Sequence, residues 1–177
     1  MRIVAGSARG RRIVAPQGLD TRPTTDRVRE ALFNSLGSLG AVVDARVLDA
    51  FAGSGALGLE ALSRGAAHVT FVEHDHRARH AVEANLATLG FADRATVIDS
   101  DVHHYLPVAP AFDLMVCDPP YAFDAWDDLL ANSPAPLVAV ESDREVHIPD
   151  GWELVRQKRY GSTVVTVITR SSTDPLE

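Results

Sequence analysis

A chain of 177 residues, 46% hydrophobic and 23% charged, has the size and composition of one compact domain with a buried core. No stretch reaches the roughly 18 uninterrupted apolar residues of a membrane span, no apolar secretory leader follows Met1-Arg2-Ile3, and the lone Cys117 excludes an internal disulfide; together these predict a cytoplasmic protein. The net charge of -7 hides a split: residues 1–29 carry seven arginines against Asp20 and Asp26, for +5, and the remainder carries -12, the pattern of a basic arm on an acidic body.

Ile3-Val4-Ala5 and Arg12-Ile13-Val14 are β-prone runs on either side of Gly6-Ser7-Ala8-Arg9-Gly10, and they predict a small hairpin ended by Pro16-Gln17-Gly18. Pro23-Thr24-Thr25-Asp26 predicts a helix start, with a threonine cap and Asp26 near the positive end of the dipole. Val28, Leu32 and Leu36 then recur at helical spacing. From Arg46 onward strands alternate with helices: strands over 47–50, 68–73, 95–99, 112–118 and 136–141, helices over 57–64, 76–89 and 123–132. Gly90 supplies a C-cap for the helix over 76–89. Two closing strands, 152–159 and 163–170, flank the turn Tyr160-Gly161-Ser162. Repeated strand–helix units predict an α/β fold, a mostly parallel Rossmann-like sheet with helices on both faces. The expected division is a basic hairpin arm over 1–22 and a catalytic domain over 23–177. Ligands of such sheets bind beyond the carboxyl ends of the strands, so chemistry is sought just after each strand.

Gly53-Ser54-Gly55-Ala56-Leu57-Gly58 matches a glycine-rich nucleotide loop, and Glu73 ends the next strand, where a carboxylate reaches ribose hydroxyls. A dinucleotide loop opens directly after its strand; here Asp49-Ala50-Phe51-Ala52 intervenes and puts a carboxylate at the strand end. An anion there repels phosphate and attracts the ammonium of an amino acid. A ligand with an amino acid at one end and a ribose at the other satisfies both carboxylates, which points to S-adenosylmethionine over a nicotinamide cofactor. Asp101 follows the third strand, where it either accepts from an adenine amino group or simply caps a helix.

Asp118-Pro119-Pro120-Tyr121 follows the fourth strand. The two prolines lock the backbone, so the Asp118 carboxylate and the Pro119 carbonyl present two acceptors at fixed spacing. An exocyclic NH2 of a nucleobase has two N–H donors to match them, and Tyr121 can stack on the extruded base. Cys117 neighbours Asp118 on a strand, faces the other way, and is read as a core residue. His74, His76, His80, His103 and His104 complete no ligand set, so no metal site is expected. Trp126 and Trp152 are read as packing residues.

Asp49-Ala-Phe-Ala-Gly-Ser-Gly-Ala-Leu-Gly58, Glu73 and Asp118-Pro-Pro-Tyr121 resemble the class I methyltransferase motifs of amino-group methylators. Arg2-Ile-Val-Ala-Gly-Ser-Ala-Arg-Gly-Arg11 and Thr21-Arg-Pro-Thr-Thr-Asp-Arg-Val-Arg-Glu-Ala-Leu-Phe33 narrow the resemblance to the RsmD family of bacterial 16S rRNA guanine-N2 methyltransferases, over nearly the whole chain. The resemblance implies a seven-stranded class I sheet with an N-terminal hairpin that engages ribosomal RNA through Arg2, Arg9, Arg11, Arg12 and Arg22. It implies methyl transfer from S-adenosylmethionine, leaving S-adenosylhomocysteine, to a guanine of free 16S rRNA or of the assembled small ribosomal subunit, by a monomer. Carried over by position, Asp49, Phe51, Gly53, Ser54 and Gly55 line the methionine and ribose, with Glu73 on the ribose hydroxyls. His74 lies beside the adenine, Asp101 near its amino group and Val102 next to it. Asp118 to Tyr121 hold the guanine, and Thr25 and Arg27 approach the methionine end. The segment 142–150 is short for the helix many class I enzymes place there. Two other readings stand beside this one: a DNA adenine-N6 or other amino methyltransferase, disfavoured because no separate target-recognition domain is visible, and a nicotinamide-dependent oxidoreductase, which leaves Asp118 to Tyr121 without a role.

Overall fold

A computed structural model of the chain describes residues 1–16, 25–120 and 122–171. Helices and strands alternate: α1 (Asp26–Ser38), β1 (Arg46–Asp49), α2 (Ala56–Ser63), β2 (His68–Glu73), α3 (His76–Leu89), β3 (Ala95–Asp99), α4 (Val102–Tyr105), β4 (Leu114–Cys117), α5 (Trp126–Ala131), β5 (Leu137–Ser142), β6 (Trp152–Tyr160) and β7 (Thr163–Arg170). The seven strands form one sheet in the order β3-β2-β1-β4-β5-β7-β6. β1 to β5 are parallel and β7 is antiparallel to both its neighbours. This is the expected Rossmann-like α/β class. The chain steps outward from β1 on both sides, so the switch point, where such sheets open a crevice, lies between β1 and β4. Among the described residues no helix is long and apolar enough to cross a membrane.

The period of two along each strand sorts the core into two layers. Val47, Leu114, Val116 and Ala139 face the layer covered by α1, α2 and α3. Leu48, Met115, Cys117, Val138 and Val140 face the other layer, with Val102 of α4 and Trp126, Leu129 and Leu130 of α5. Cys117 is fully buried, and burial pushes its thiol well above the usual range, as a packing residue requires. Gly58 allows α2 to lie directly on β2, because a Cβ there would come 2.3 Å from the Phe71 ring. Gly90 closes α3 in the left-handed conformation (φ 75°), as its sequence position predicts.

Several element ends differ from expectation. β4 stops at Cys117, so Asp118 stands just beyond the strand rather than within it. α5 starts at Trp126 and not at Phe123, because the Phe123 N–H donates to the Pro120 carbonyl (2.8 Å) in a turn that carries the chain off β4. The N-terminal hairpin is short: an antiparallel bridge between Arg2 and Arg12, with Ile3 N–H donating to the Arg11 carbonyl (3.0 Å), Gly10 N–H to the Ile3 carbonyl (2.8 Å) and Ile13 N–H to the Met1 carbonyl (3.1 Å). Its next two N–H groups, on Val4 and Ala5, donate instead to the Glu60 carboxylate at 2.8 and 3.0 Å.

That carboxylate explains how the basic segment is held. Glu60 is fully buried on α2; it also accepts from Arg64 Nε (2.8 Å) and lies 3.4 Å from Nε of the equally buried Arg29. Arg29 in turn bonds Asp26 (2.8 Å) and the Arg2 carbonyl. Ser63 Oγ accepts from Ala8 N (3.0 Å), and Asn85 of α3 pairs with both backbone groups of Val14 (2.8 and 2.9 Å). Ile3, Ala8 and Ile13 are buried in the same core as α2 and α3. Residues 1–16 are therefore docked on the body through α2 and α3; the boundary expected at 22 lies outside the described residues.

Candidate functional site

Three carboxylates converge beyond the ends of β1, β2 and β4. Asp49 is 1% exposed at the end of β1. Its Oδ2 accepts from the Gly58 N–H (2.9 Å), so it ties the strand to the first turn of α2 and shapes the loop between them. Its Oδ1 is buried with no hydrogen-bond partner among the described residues. Burial, reinforced by the charges of Asp118 and Glu73, raises its carboxyl to about 7, against the lowering effect of the Gly58 bond. At the end of β2, Glu73 accepts from Gly53 N (2.9 Å) and Asp75 N (2.8 Å), fixing the loop from the other side. Gly53 and Gly55 adopt positive φ (53° and 79°), and Gly55 is the N-cap of α2. The Ser54 carbonyl accepts from Asn85 Nδ2 (3.0 Å).

The adenine-side candidates are placed unequally. His74 is 75% exposed, its Nδ1 3.5 Å from Glu73 Oε1. Asp101 caps α4 by accepting from His103 N (2.8 Å), the plainer of its two expected roles. Val102 is 4% exposed and its side chain packs into the core, not into the cleft. Phe51 meets Phe123 edge to face, with ring centroids 5.3 Å apart.

Asp118, half-buried, and Pro119, buried, border a narrow depression with Pro120, Phe123, Trp126, Glu141 and Thr163. Phe123 packs edge-on against Trp126 at 4.8 Å and is stacked by His103 at 5.8 Å. Tyr121 lies outside the described residues. Thr25 and Arg27 line a cavity of about 430 Å³ together with Glu141 and the β6–β7 turn. Thr25 spends its hydroxyl on capping α1, accepting from Val28 N (3.3 Å). Arg2, Arg9, Arg11 and Arg12 are exposed, and Arg11 also donates to the Leu89 carbonyl (3.2 Å) and the Thr88 carbonyl at the end of α3; Arg22 lies outside the described residues. Among the described residues no cluster of His, Cys, Asp and Glu suits a metal ion.

Residues 1–169 match the family model described as "Conserved hypothetical protein 95". The chain belongs to this family, the RsmD family. It is 39% identical to ribosomal RNA small subunit methyltransferase D of Escherichia coli strain K12, over 97% of this chain and 91% of that protein. The protein of the same name from Haemophilus influenzae is 36% identical, over 91% and 89% of the two chains. The solved structure of yhhF from Escherichia coli superposes with a TM-score of 0.84 at 40% identity, covering 97% of this chain and 98% of that one.

Several residues of this RsmD-family site escape sequence reasoning. Trp126 packs in the second core layer as expected, with Phe123 against it, and both also wall the Asp118 depression. Glu141, Lys158, Arg159 and Thr163 belong to β5 and to the β6–β7 hairpin, and only the antiparallel order β5-β7-β6 brings them to the cleft. The one visible signal was the run Arg156, Lys158, Arg159 within an otherwise acidic body.

Proposed function

We propose that this chain transfers a methyl group from S-adenosylmethionine to the exocyclic N2 amino group of a guanine in 16S rRNA of the small ribosomal subunit. The observation that carries the reading is the rigid Asp118-Pro119-Pro120 corner at the end of β4, beside Asp49 and Glu73 at the switch point of the sheet. Membership of the RsmD family supports the ribosomal substrate.

The residues present fit the methyl donor. Asp49 keeps a buried oxygen without a donor among the described residues, matched to a cationic amino-acid end, and Glu73 retains lone pairs for ribose hydroxyls beyond its two backbone bonds. S-adenosylmethionine, when bound, supplies a methyl group on a positively charged sulfur that is electrophilic toward nitrogen. The guanine amino nitrogen is a poor nucleophile because its lone pair is delocalised into the ring. The Asp118 carboxylate and the Pro119 carbonyl each accept one of its N–H groups, favouring the pyramidal nitrogen with its lone pair free. The prolines fix those acceptors, Tyr121 stacks on the base, and Phe123 and Trp126 keep water from the depression. As the N–C bond formed, the donor's S–C bond would break to leave the neutral thioether of S-adenosylhomocysteine, the nitrogen would become cationic, and Asp118 would take one of its protons. Orientation and preorganised electrostatics supply the catalysis, and no covalent nucleophile is required. Exposed Arg9 and Arg12 of the docked N-terminal segment contact RNA phosphate, as Arg2 and Arg22 do, while Arg11 chiefly anchors the segment to α3.

The raised Asp49 carboxyl gives a signature at the cofactor. Below pH about 7 Asp49 is mostly neutral, and above it is an anion that pairs with the ligand's ammonium. S-adenosylhomocysteine affinity is therefore expected to rise as the pH passes from 6 to 8, with proton release on binding near neutrality. Calorimetry in buffers of different ionisation enthalpy measures both, and Asp49→Asn should flatten the dependence. A wild-type affinity independent of pH would remove Asp49 from the site.

The function itself is tested by incubating the protein and labelled donor with under-methylated small subunits, naked 16S rRNA and duplex DNA, then identifying the methylated nucleoside. N2-methylguanosine from ribosomal RNA is the expected product; N6-methyladenosine, or label only in DNA, overturns the reading.

A further inference from the structure

The cavity of about 430 Å³ beside the Asp118 depression has no part in the steps above. Its wall includes Arg27 of α1, Lys158, Arg159 and Tyr160 at the end of β6, Thr163 of β7 and Glu141 of β5. Glu141 and Thr163 also border the Asp118 depression, so the two concavities are contiguous. We propose that this cavity holds the nucleotide adjacent to the target guanine in the RNA strand, with its phosphate at Arg27, Lys158 and Arg159. The proposal rests on the RNA-methylation reading and extends it to the strand that carries the base.

Charge is the first support. The chain beyond residue 29 carries a net -12, yet two of its cations, Lys158 and Arg159, line this cavity together with Arg27 of α1, against one carboxylate in its wall. Lys158 is the only lysine in the chain. Its ammonium lies 5.4 Å above the Tyr160 ring, and Arg159 Nη1 reaches the Asp143 carbonyl at 3.5 Å; neither contact neutralises its charge. Phosphate attracts such groups, and phosphate contacts fix the register of a strand without reading sequence. Lining chemistry is the second. A half-buried tyrosine ring offers a stacking face, while Thr163 and Glu141 offer hydrogen-bonding groups for a base or ribose. Position is the third. A base swung out of its stack must be held through the backbone beside it, and this cavity opens at the edge of the depression where that base is bound. It lies on the β5–β7 side, separated by β4 from the glycine loop that follows β1, which sets it apart from the methyl donor.

The single lysine allows a direct test. Acylation of Lys158 by an amine-specific reagent, read by peptide mass spectrometry, is expected to be suppressed by under-methylated small subunits and unaffected by S-adenosylhomocysteine. The double variant Lys158→Ala, Arg159→Ala removes two exposed side chains, so its melting temperature should match that of the wild type. Its affinity for the subunits at 0.15 M salt is expected to fall about ten-fold, and the slope of log affinity against log salt to shrink by about 1.4. S-adenosylhomocysteine affinity should stay within about two-fold. If the wild-type chain methylates the subunits while Lys158 stays fully reactive and the variant binds RNA normally, the cavity proposal is overturned and the function stands. A large loss of S-adenosylhomocysteine affinity in the variant would assign the cavity to the methyl donor and also overturn it. Absence of guanine methylation by the wild type overturns the function reading, and this one with it.

Discussion

Replacing Asp118 by alanine is expected to cut methyl transfer to small-subunit RNA by about a thousand-fold, while S-adenosylhomocysteine affinity near pH 8 stays within about two-fold. The corner after β4 gives the guanine amino group two acceptors; with only the Pro119 carbonyl left, the nitrogen loses both its orientation and the partner that takes its proton. Asp118→Asn keeps the shape and one acceptor oxygen but loses the negative charge that takes the proton, so it too should lose most turnover. A second readout separates this role from general damage. The Asp118 charge helps hold the Asp49 carboxyl near 7, so its removal should move the pH dependence of S-adenosylhomocysteine binding to lower pH. Near-normal turnover in Asp118→Ala, measured by initial rates on under-methylated subunits, would refute the assigned role.

Glu60→Ala is expected to destabilise the fold by about 3 kcal/mol, the lower end of the cost of removing one partner of a buried ion pair, because Asp26 still holds Arg29. For a chain of this length that lowers the melting temperature by roughly 10 °C. The variant leaves Arg29, fully buried, without its central carboxylate, and leaves Val4 and Ala5 N–H groups without acceptors. Glu60→Gln keeps one acceptor and should lose less. Amide exchange adds a local readout: protection at Val4 and Ala5 should fall further than protection in β1 and β4. A loss under about 1 kcal/mol by urea titration, a level typical of surface positions, would mean that Glu60 is not what secures the N-terminal segment.

The alternating sheet was legible because each strand and helix carries its own period, and because parallel strands with short connections admit few topologies. The same logic made Asp49, Glu73 and Asp118 legible as a group: residues just past neighbouring parallel strands must meet at one edge of the sheet. Glu60 and Arg29 were not legible. Within Ala56–Ser63 a glutamate reads as the polar side of a helix, and nothing local reveals that residues 1–16 cover it. The segment's arginines mark it as a basic arm, whereas its apolar residues Ile3, Ala8 and Ile13, too few to show a period, decide its docking. The cavity that Thr25 and Arg27 line is completed by the β6–β7 hairpin, over 130 residues away in sequence, which turns back beside β5. Val102 follows Asp101 by one residue, and α4 turns its side chain inward.

The account stands on one adjacency, that of the methyl donor's sulfur to the acceptors after β4. A crystal structure of the protein with S-adenosylhomocysteine measures it directly. The sulfur is expected within about 7 Å of the Asp118 carboxylate, leaving room for one amino nitrogen in line between them, with the ligand's amino-acid end toward Asp49 and its ribose on Glu73. A ligand seated in the β6–β7 cavity, or with its sulfur turned away from Asp118, would contradict the account.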